Sequence, residues 1–188
     1  MIIYCGTSNR GKLREFQLAA PDFEIRPVDA PPPEEHGATF EETAREKAIY
    51  YSKHAPGWTF ADDSGLEVDA LGGAPGVHSA RFAGPDATDE RNNTLLLDRL
   101  RCVDNRSARF VCVIALARNG RVERTFHGKV EGRILDAPRG AHGFGYDPLF
   151  FYEPFGCTLG EAEDARKMQV SHRAQALAAM FDYLRASR

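Results

Sequence analysis

At 188 residues and 43% hydrophobic content, the chain is long enough to bury one full-sized core, so disulfide support is not required. Net charge is only −3, with Lys and Arg dispersed, which argues against nucleic acid as the main partner and leaves a small anionic ligand in a local basic pocket. No segment approaches membrane-spanning length, and Cys5, Cys102, Cys112 and Cys157 form no C-x-x-C pair; they read as small buried hydrophobes of a reduced, cytosolic protein.

The opening MIIYCGTSN lacks a basic n-region and reaches a glycine within a few residues, so Ile2 to Cys5 is predicted to be a first strand and not a signal peptide. Lys12 to Ala19, with Leu13 and Phe16 on one face, is predicted to follow as a helix. The proline-rich run from Pro27 through Pro31, Pro32 and Pro33 to Glu34-Glu35-His36-Gly37 has to be a loop. Thr39-Phe40-Glu41-Glu42 is a capping box that opens a helix reaching about Tyr51. The apolar run after Trp58 meets Asp62-Asp63-Ser64-Gly65, which reads as a strand closing in a tight polar turn. Strand alternation then lets at most one of the two aspartates face the core. Arg91 to Leu100 is a helix with Leu96, Leu97 and Leu100 on its buried side, and Phe110 to Leu116, apolar on both faces, suits a central strand. Asn119-Gly120 is a hairpin turn into Arg121 to Lys129, so part of the sheet is antiparallel. Ser171 caps a last helix with Ala174, Leu177, Phe181 and Leu184 on one face. The expected fold is α/β: one mixed sheet flanked by helices, with no repeat and no linker.

Four segments carry chemistry. Gly6-Thr7-Ser8-Asn9-Arg10-Gly11-Lys12-Leu13 matches G-x-x-x-x-G-K and fails at the last position, where a P-loop needs Ser or Thr for magnesium. Backbone N–H groups at a helix start, the side chains of Thr7 and Asn9, and Lys12 still suit an anion; the plain alternative is a turn capped by Asn9. Any magnesium must then be held by carboxylates, for which Asp62, Asp63, Glu34, Glu35, Glu41 and Glu42 stand available. Glu42 is accounted for by the capping box, and Glu41 by the positive end of its helix, whereas Glu34 and Glu35 lie in irregular chain. His142-Gly143-Phe144-Gly145-Tyr146-Asp147 sets an aromatic ring between glycines, which lets the backbone approach a planar ligand. Lys167 and Ser171-His172-Arg173 bring cations to a helix start.

Together these segments closely resemble the inosine triphosphate pyrophosphatase family, in its bacterial form, over nearly the whole chain from Ile2 to about Leu184. TSNRGK, the Glu34 to Phe40 segment, FADDSGLEVDALGGAPGVHSAR, GFGYDPLF and SHR occur in family order. The resemblance implies an elongated α/β fold of two lobes in a single domain over residues 1–188, an active cleft between the lobes, and a homodimer. It implies hydrolysis of dITP, ITP and XTP to the monophosphate and pyrophosphate with Mg2+, in the cytoplasm, with no nucleic-acid or membrane partner. It makes Thr7, Ser8, Asn9, Arg10, Gly11 and Lys12 the triphosphate loop, Glu34 and Asp63 the magnesium ligands, and Asp63 also the general base. Ser64 is implied as a substrate contact and Phe144, Gly145, Tyr146 and Asp147 as the base-binding segment, while Lys167, His172 and Arg173 complete the nucleotide site. Ser8 stands where many members have glycine, and Thr43 where asparagine is frequent. Two rival readings are a P-loop-like ATPase or kinase, against which Leu13 counts, and a purine-nucleotide sensor that does not hydrolyse.

Overall fold

The computed structural model describes residues 1–20 and 22–187. Its strands are β1 (Ile2–Cys5), β2 (Glu24–Pro27), β3 (Thr59–Val68), β4 (Ser107–Arg118), β5 (Arg121–Ile134), β6 (Phe150–Tyr152) and β7 (Cys157–Thr158). They form one sheet in the order β2-β1-β3-β4-β5-β6-β7. β1 pairs in parallel with β2 and β3, while β6 pairs antiparallel with β5 and β7, so the sheet is mixed, as expected. The helices are α1 (Arg10–Leu18), α2 (Phe40–Tyr51), α3 (Asp89–Arg99), the short α4 (Asp164–Lys167) and α5 (His172–Ala186).

Local chemistry explains most of these boundaries. Thr39 Oγ1 accepts from Glu42 N at 3.1 Å and Glu42 Oε2 accepts from Ala38 N at 2.8 Å, which closes the predicted capping box one residue further back. Ser171 Oγ accepts from Ala174 N at 3.1 Å and starts α5 where the sequence places it. Asn119 and Gly120 both take left-handed backbone, φ 53° and 77°, the pattern of a two-residue type I′ turn, and they join the neighbouring strands β4 and β5. α1 begins two residues before the predicted start because Asn9 caps it, accepting from Lys12 N at 3.0 Å.

The expectation of a turn at Ser64-Gly65 is corrected. β3 runs straight through it to Val68, because Leu66 and Val68 are fully buried and Leu66 N donates to Ser79 Oγ at 2.8 Å. Both aspartates of the pair are buried, Asp62 at 1% exposure and Asp63 at 8%, and as consecutive residues of β3 they meet different partners, Asp62 the cations Lys12 and Arg173 and Asp63 the ammonium of Lys47. Cys5 and Cys112 are buried as expected, but Cys102 is exposed at a left-handed φ of 61°.

The chain forms two compact units, one of residues 1–63, 112–128 and 171–188, the other of 64–111 and 129–170. The first is cored by Phe16 against Phe60, edge to face at 4.9 Å, and by Phe23 stacked on Phe181 at 4.9 Å. The second is cored by Leu66, Leu96, Leu100, Phe110, Leu149 and Phe150. Burying each such side chain contributes about 1.5 to 3 kcal/mol, so both units hold together without cross-links. Among the described residues no helix is long and apolar enough to cross a membrane.

Candidate active site

In the first unit the loop after β1 and the middle of β3 meet over buried charge. Gly6 lies directly under the ring of Tyr51, leaving no room for a Cβ, and its N–H donates to Phe60 O at 2.8 Å. The loop then turns on its own side chains: Thr7 Oγ1 accepts from Asn9 N at 3.1 Å, and Ser8, Asn9 and Arg10 are exposed. Gly11 and Lys12 fall in the first turn of α1. Lys12 Nζ reaches Asp62, with 3.0 Å to each carboxylate oxygen, and only 15% of its side chain is exposed.

Asp62 is the hub of this cluster. Besides Lys12, it accepts from Arg173 Nε at 3.2 Å, and Arg173 Nη1 is bonded to Glu15, itself buried. Burial pushes the Asp62 carboxyl up, but Lys12, Arg173 and Lys47 outweigh it and hold the group well below the usual carboxylate range. Arg173 shows the mirror image, with its proton held more firmly because Glu15 and Asp62 overcome the cost of burial. Lys12 moves the other way: desolvation lowers it even against Asp62.

Asp63, the next residue, is treated oppositely. Its carboxyl is pushed up to about 6 by burial, against the pull of Lys47 and Lys12 and with help from its neighbour Asp62. Lys47 Nζ lies 3.6 Å from Asp63 Oδ1 and 3.2 Å from Glu35 Oε1, one ammonium shared by two carboxylates. Burial draws the Lys47 ammonium down, yet Asp62, Asp63 and Glu35 raise it overall. Glu34 turns outward to His36 at 3.5 Å, with 90% of its side chain exposed. The structure therefore brings Glu35, through Lys47, to Asp63, and leaves Glu34 on the loop surface.

This donor set bears on whether magnesium can be held here. Among the described residues no group of three or more His, Cys, Asp or Glu is placed to hold a metal. Magnesium, however, commonly takes only one or two carboxylates and fills its shell with water and phosphate oxygens. Hard oxygens from Asp63 and Glu35, already arranged about a lysine ammonium, fit that requirement, with Glu34 next to them on the same loop. Lys12, Lys47 and Arg173 face Glu15, Glu35, Asp62 and Asp63. A polyphosphate brought beside these carboxylates is better balanced with a further cation.

The second unit holds the remaining expected residues apart from His172, which belongs to the first. Gly143 takes φ 71°, and the following N–H of Phe144 donates to Asp147 Oδ2 at 2.9 Å. Lys167 Nζ donates to the same oxygen at 2.6 Å, both groups being almost fully buried, and it stands 5.0 Å from the centroid of the Phe144 ring. Tyr146 is buried and its hydroxyl donates to Ser79 O at 2.7 Å. Ser64 is half-buried on β3, next to Asp63. His172 is buried at the first position of α5, with its carbonyl close against Gly128.

Lys47 and Glu15 were not singled out from the sequence, although both leave a trace there. Thr43, Ala44, Ala48 and Tyr51 form the buried stripe of α2, and Lys47 falls at the matching position within it. Glu15 sits beside Phe16 on the buried side of α1, three residues after Lys12. A charged residue inside an apolar stripe is the readable signal for both.

A mixed sheet flanked by helices, with two adjacent buried carboxyls held on opposite sides of their ordinary value inside a cluster of cations, is an α/β protein with the kind of charge arrangement found at enzyme sites. The profile of the Ham1 family matches residues 3–183, and the chain belongs to that family. It is 47% identical to the dITP/XTP pyrophosphatase of Acidobacterium capsulatum, covering 94% of this chain and 95% of the relative. The dITP/XTP pyrophosphatase of Vibrio cholerae is 44% identical over 99% of this chain and 98% of its own. Among solved structures, the Ham1 protein of Staphylococcus aureus superposes with a TM-score of 0.88 at 37% identity, covering 100% of each chain. A HAM1 protein from Coxiella burnetii gives 0.89 at 39% identity over 99% of each.

Proposed function

We propose that this chain hydrolyses non-standard purine nucleoside triphosphates, dITP, ITP and XTP, to the nucleoside monophosphate and pyrophosphate, clearing them from the nucleotide pool. The observation that carries the reading is Asp63: a buried carboxyl lifted to about 6, beside one that is held ionised, in a cluster containing Lys12 and Lys47. Whole-length relatives named dITP/XTP pyrophosphatase support the substrate class.

Asp63 takes the proton of the attacking water as its oxygen bonds to the α-phosphorus, and the bond to the oxygen bridging the α and β phosphates breaks. Pyrophosphate leaves with that electron pair, and Lys12, at the head of α1, neutralises its charge together with the N–H groups of the loop from Thr7 to Gly11. Lys47 keeps Glu35 and Asp63 apart in charge and together in space. Arg173, fully engaged with Glu15 and Asp62, acts in this scheme by holding Asp62, and Asp62 in turn aims Lys12. Asp63 and, once its loop swings inward from the surface, Glu34 would hold Mg2+, which would supply charge balance for the phosphate oxygens and acidify a bound water. Phe144, Gly145, Tyr146 and Asp147 take the purine, with Lys167 and His172 completing the nucleotide contacts. Work in the cytoplasm as a homodimer belongs to the same proposal.

Pyrophosphate release from ITP, dITP, XTP, GTP and ATP with magnesium tests it. The proposal requires release from the first three far above ATP, and loss of turnover in Asp63→Asn with nucleotide binding retained. ATP hydrolysis to ADP, or binding of ITP without release, contradicts it in favour of the kinase-like or sensor reading, neither of which the named relatives favour.

A further inference from the structure

Gly145 is gripped at both of its backbone polar groups by side chains one helical turn apart on α3. Its N–H donates to Asp89 Oδ2 at 2.7 Å, and its carbonyl accepts from Asn93 Nδ2 at 3.1 Å. Gly145 takes a left-handed φ of 61°, a conformation with no partner in any strand or helix, so these side chains replace the secondary-structure bonds it lacks. The grip is firm because α3 is itself fastened. Thr88 caps it, accepting from Arg91 N at 3.2 Å, and buried Asn92 ties it to the preceding segment by accepting from Ala83 N at 2.8 Å and donating to Ala80 O at 3.2 Å. Leu96, on the same helix, is fully buried.

Asn93 holds this position at a cost. Among the described residues its Oδ1 is buried without a hydrogen-bond partner, so the amide is oriented by its bond to Gly145. An asparagine serving α3 alone would turn that acceptor to solvent. On the other side of the loop, Phe144 N–H and Lys167 both close on Asp147, and Tyr146 is anchored on Ser79. The segment from Phe144 to Asp147 is thus stretched between α3 at Gly145 and the Asp147–Lys167 pair.

We propose that Asp89 and Asn93 are positioning residues for purine recognition: together they fix Gly145, and through it set where the Phe144 ring is presented to the base. The inference rests on the reading of Phe144 to Asp147 as the base-binding segment. Neither residue touches the reacting atoms, so their loss loosens ground-state binding of the base and leaves the phosphate chemistry intact.

Steady-state kinetics of ITP hydrolysis with magnesium, on Asp89→Ala, Asn93→Ala, Asp89→Asn, Thr88→Ala and Phe144→Ala, decides the matter, with Tm recorded for each. Asp89→Ala and Asn93→Ala are expected to raise KM roughly three- to tenfold with kcat within about twofold, the scale of one lost loop hydrogen bond. Asp89→Asn, which keeps an acceptor for Gly145 N–H, is expected to stay near the wild type. Thr88→Ala loses the cap of α3 and is expected to lower Tm with a KM rise well below that of Asp89→Ala. In a Phe144→Ala background Asp89→Ala adds nothing further, because its effect is exerted through that ring. Unchanged KM in both alanine variants, while Phe144→Ala raises it, overturns the inference and leaves the base-segment reading standing. An unchanged KM in Phe144→Ala overturns that reading and the inference with it. A KM rise in Thr88→Ala equal to that of Asp89→Ala, or full additivity with Phe144→Ala, shows a general effect of α3 and also overturns it.

Discussion

The two units treat their buried polar groups in different ways. In the first, charge is balanced against charge: Glu15, Arg173, Asp62 and Lys12 form a buried chain in which each ion depends on the next. In the second, a loop is held mainly by bonds to backbone groups, at Phe144 N, at both polar groups of Gly145 and at Ser79 O, with one buried ion pair, Asp147–Lys167. Ion chains in low dielectric are costly to break and resist change of charge, which suits a region that must keep Asp62 ionised beside a carboxyl at about 6. Backbone bonds fix shape with little field, which suits contact with a flat, uncharged base.

The largest effect expected from this difference is in stability. Arg173→Ala strands Glu15 and Asp62 together in the core and should destabilise by about 3 to 5 kcal/mol. Asp89→Ala in the second unit removes one partly exposed bond and should cost no more than about 1 to 2 kcal/mol. Unfolding in guanidinium chloride compares them, and equal losses would erase the contrast. Next comes Lys12→Ala, expected to lower kcat/KM for ITP on the order of 100-fold, as removal of one preorganised charge contact does. It should weaken triphosphates far more than monophosphates in equilibrium binding; equal weakening of both takes Lys12 away from the β and γ phosphates.

Asp63 carries a pH signature with a defined sign. Its folded value of about 6 lies above the ordinary 3.8, so the folded state holds this proton more tightly than the unfolded one. The stability tied to it is fully present below the ordinary value and is lost as pH rises through about 6. Asp63→Asn removes that loss. In EDTA the variant should be more stable than the wild type at pH 8, by about 1 to 3 kcal/mol, and no more stable at pH 4, with urea unfolding as the measure. A gain of the same size at both pH values would mean that Asp63 titrates normally. The smallest effect is expected at the second cluster, where Phe144→Leu keeps apolar contact and loses stacking. It should raise KM by roughly three- to tenfold with kcat unchanged.

What the sequence made legible follows from how local each signal is. Thr39, Ser171 and Asn119-Gly120 act within a few residues of themselves, and all three begin or turn their elements where the sequence places them. The end assigned to β3 at Ser64-Gly65 failed because polar and glycine residues mimic a turn, while burial of Leu66 and Val68 carries the strand onward. β2 is four residues long and closes on Pro27, so neither alternation nor length could reveal it; its pairing with β1 creates it. Of the candidate site, the loop to Lys12, Asp63 and the Phe144 segment stand out in the sequence as motifs. The burial of Arg173 between Glu15 and Asp62 was not, since those partners lie far off in sequence, at the other end of the chain and in mid-strand.

In the proposed reaction water attacks the α-phosphorus under the control of Asp63. Turnover of dITP in heavy-oxygen water, with magnesium and mass analysis of both products, addresses it directly. The label is expected in the nucleoside monophosphate, with unlabelled pyrophosphate and no label incorporated by Asp63→Asn. Label in pyrophosphate, release of a nucleoside diphosphate, or undiminished labelling by Asp63→Asn would contradict it.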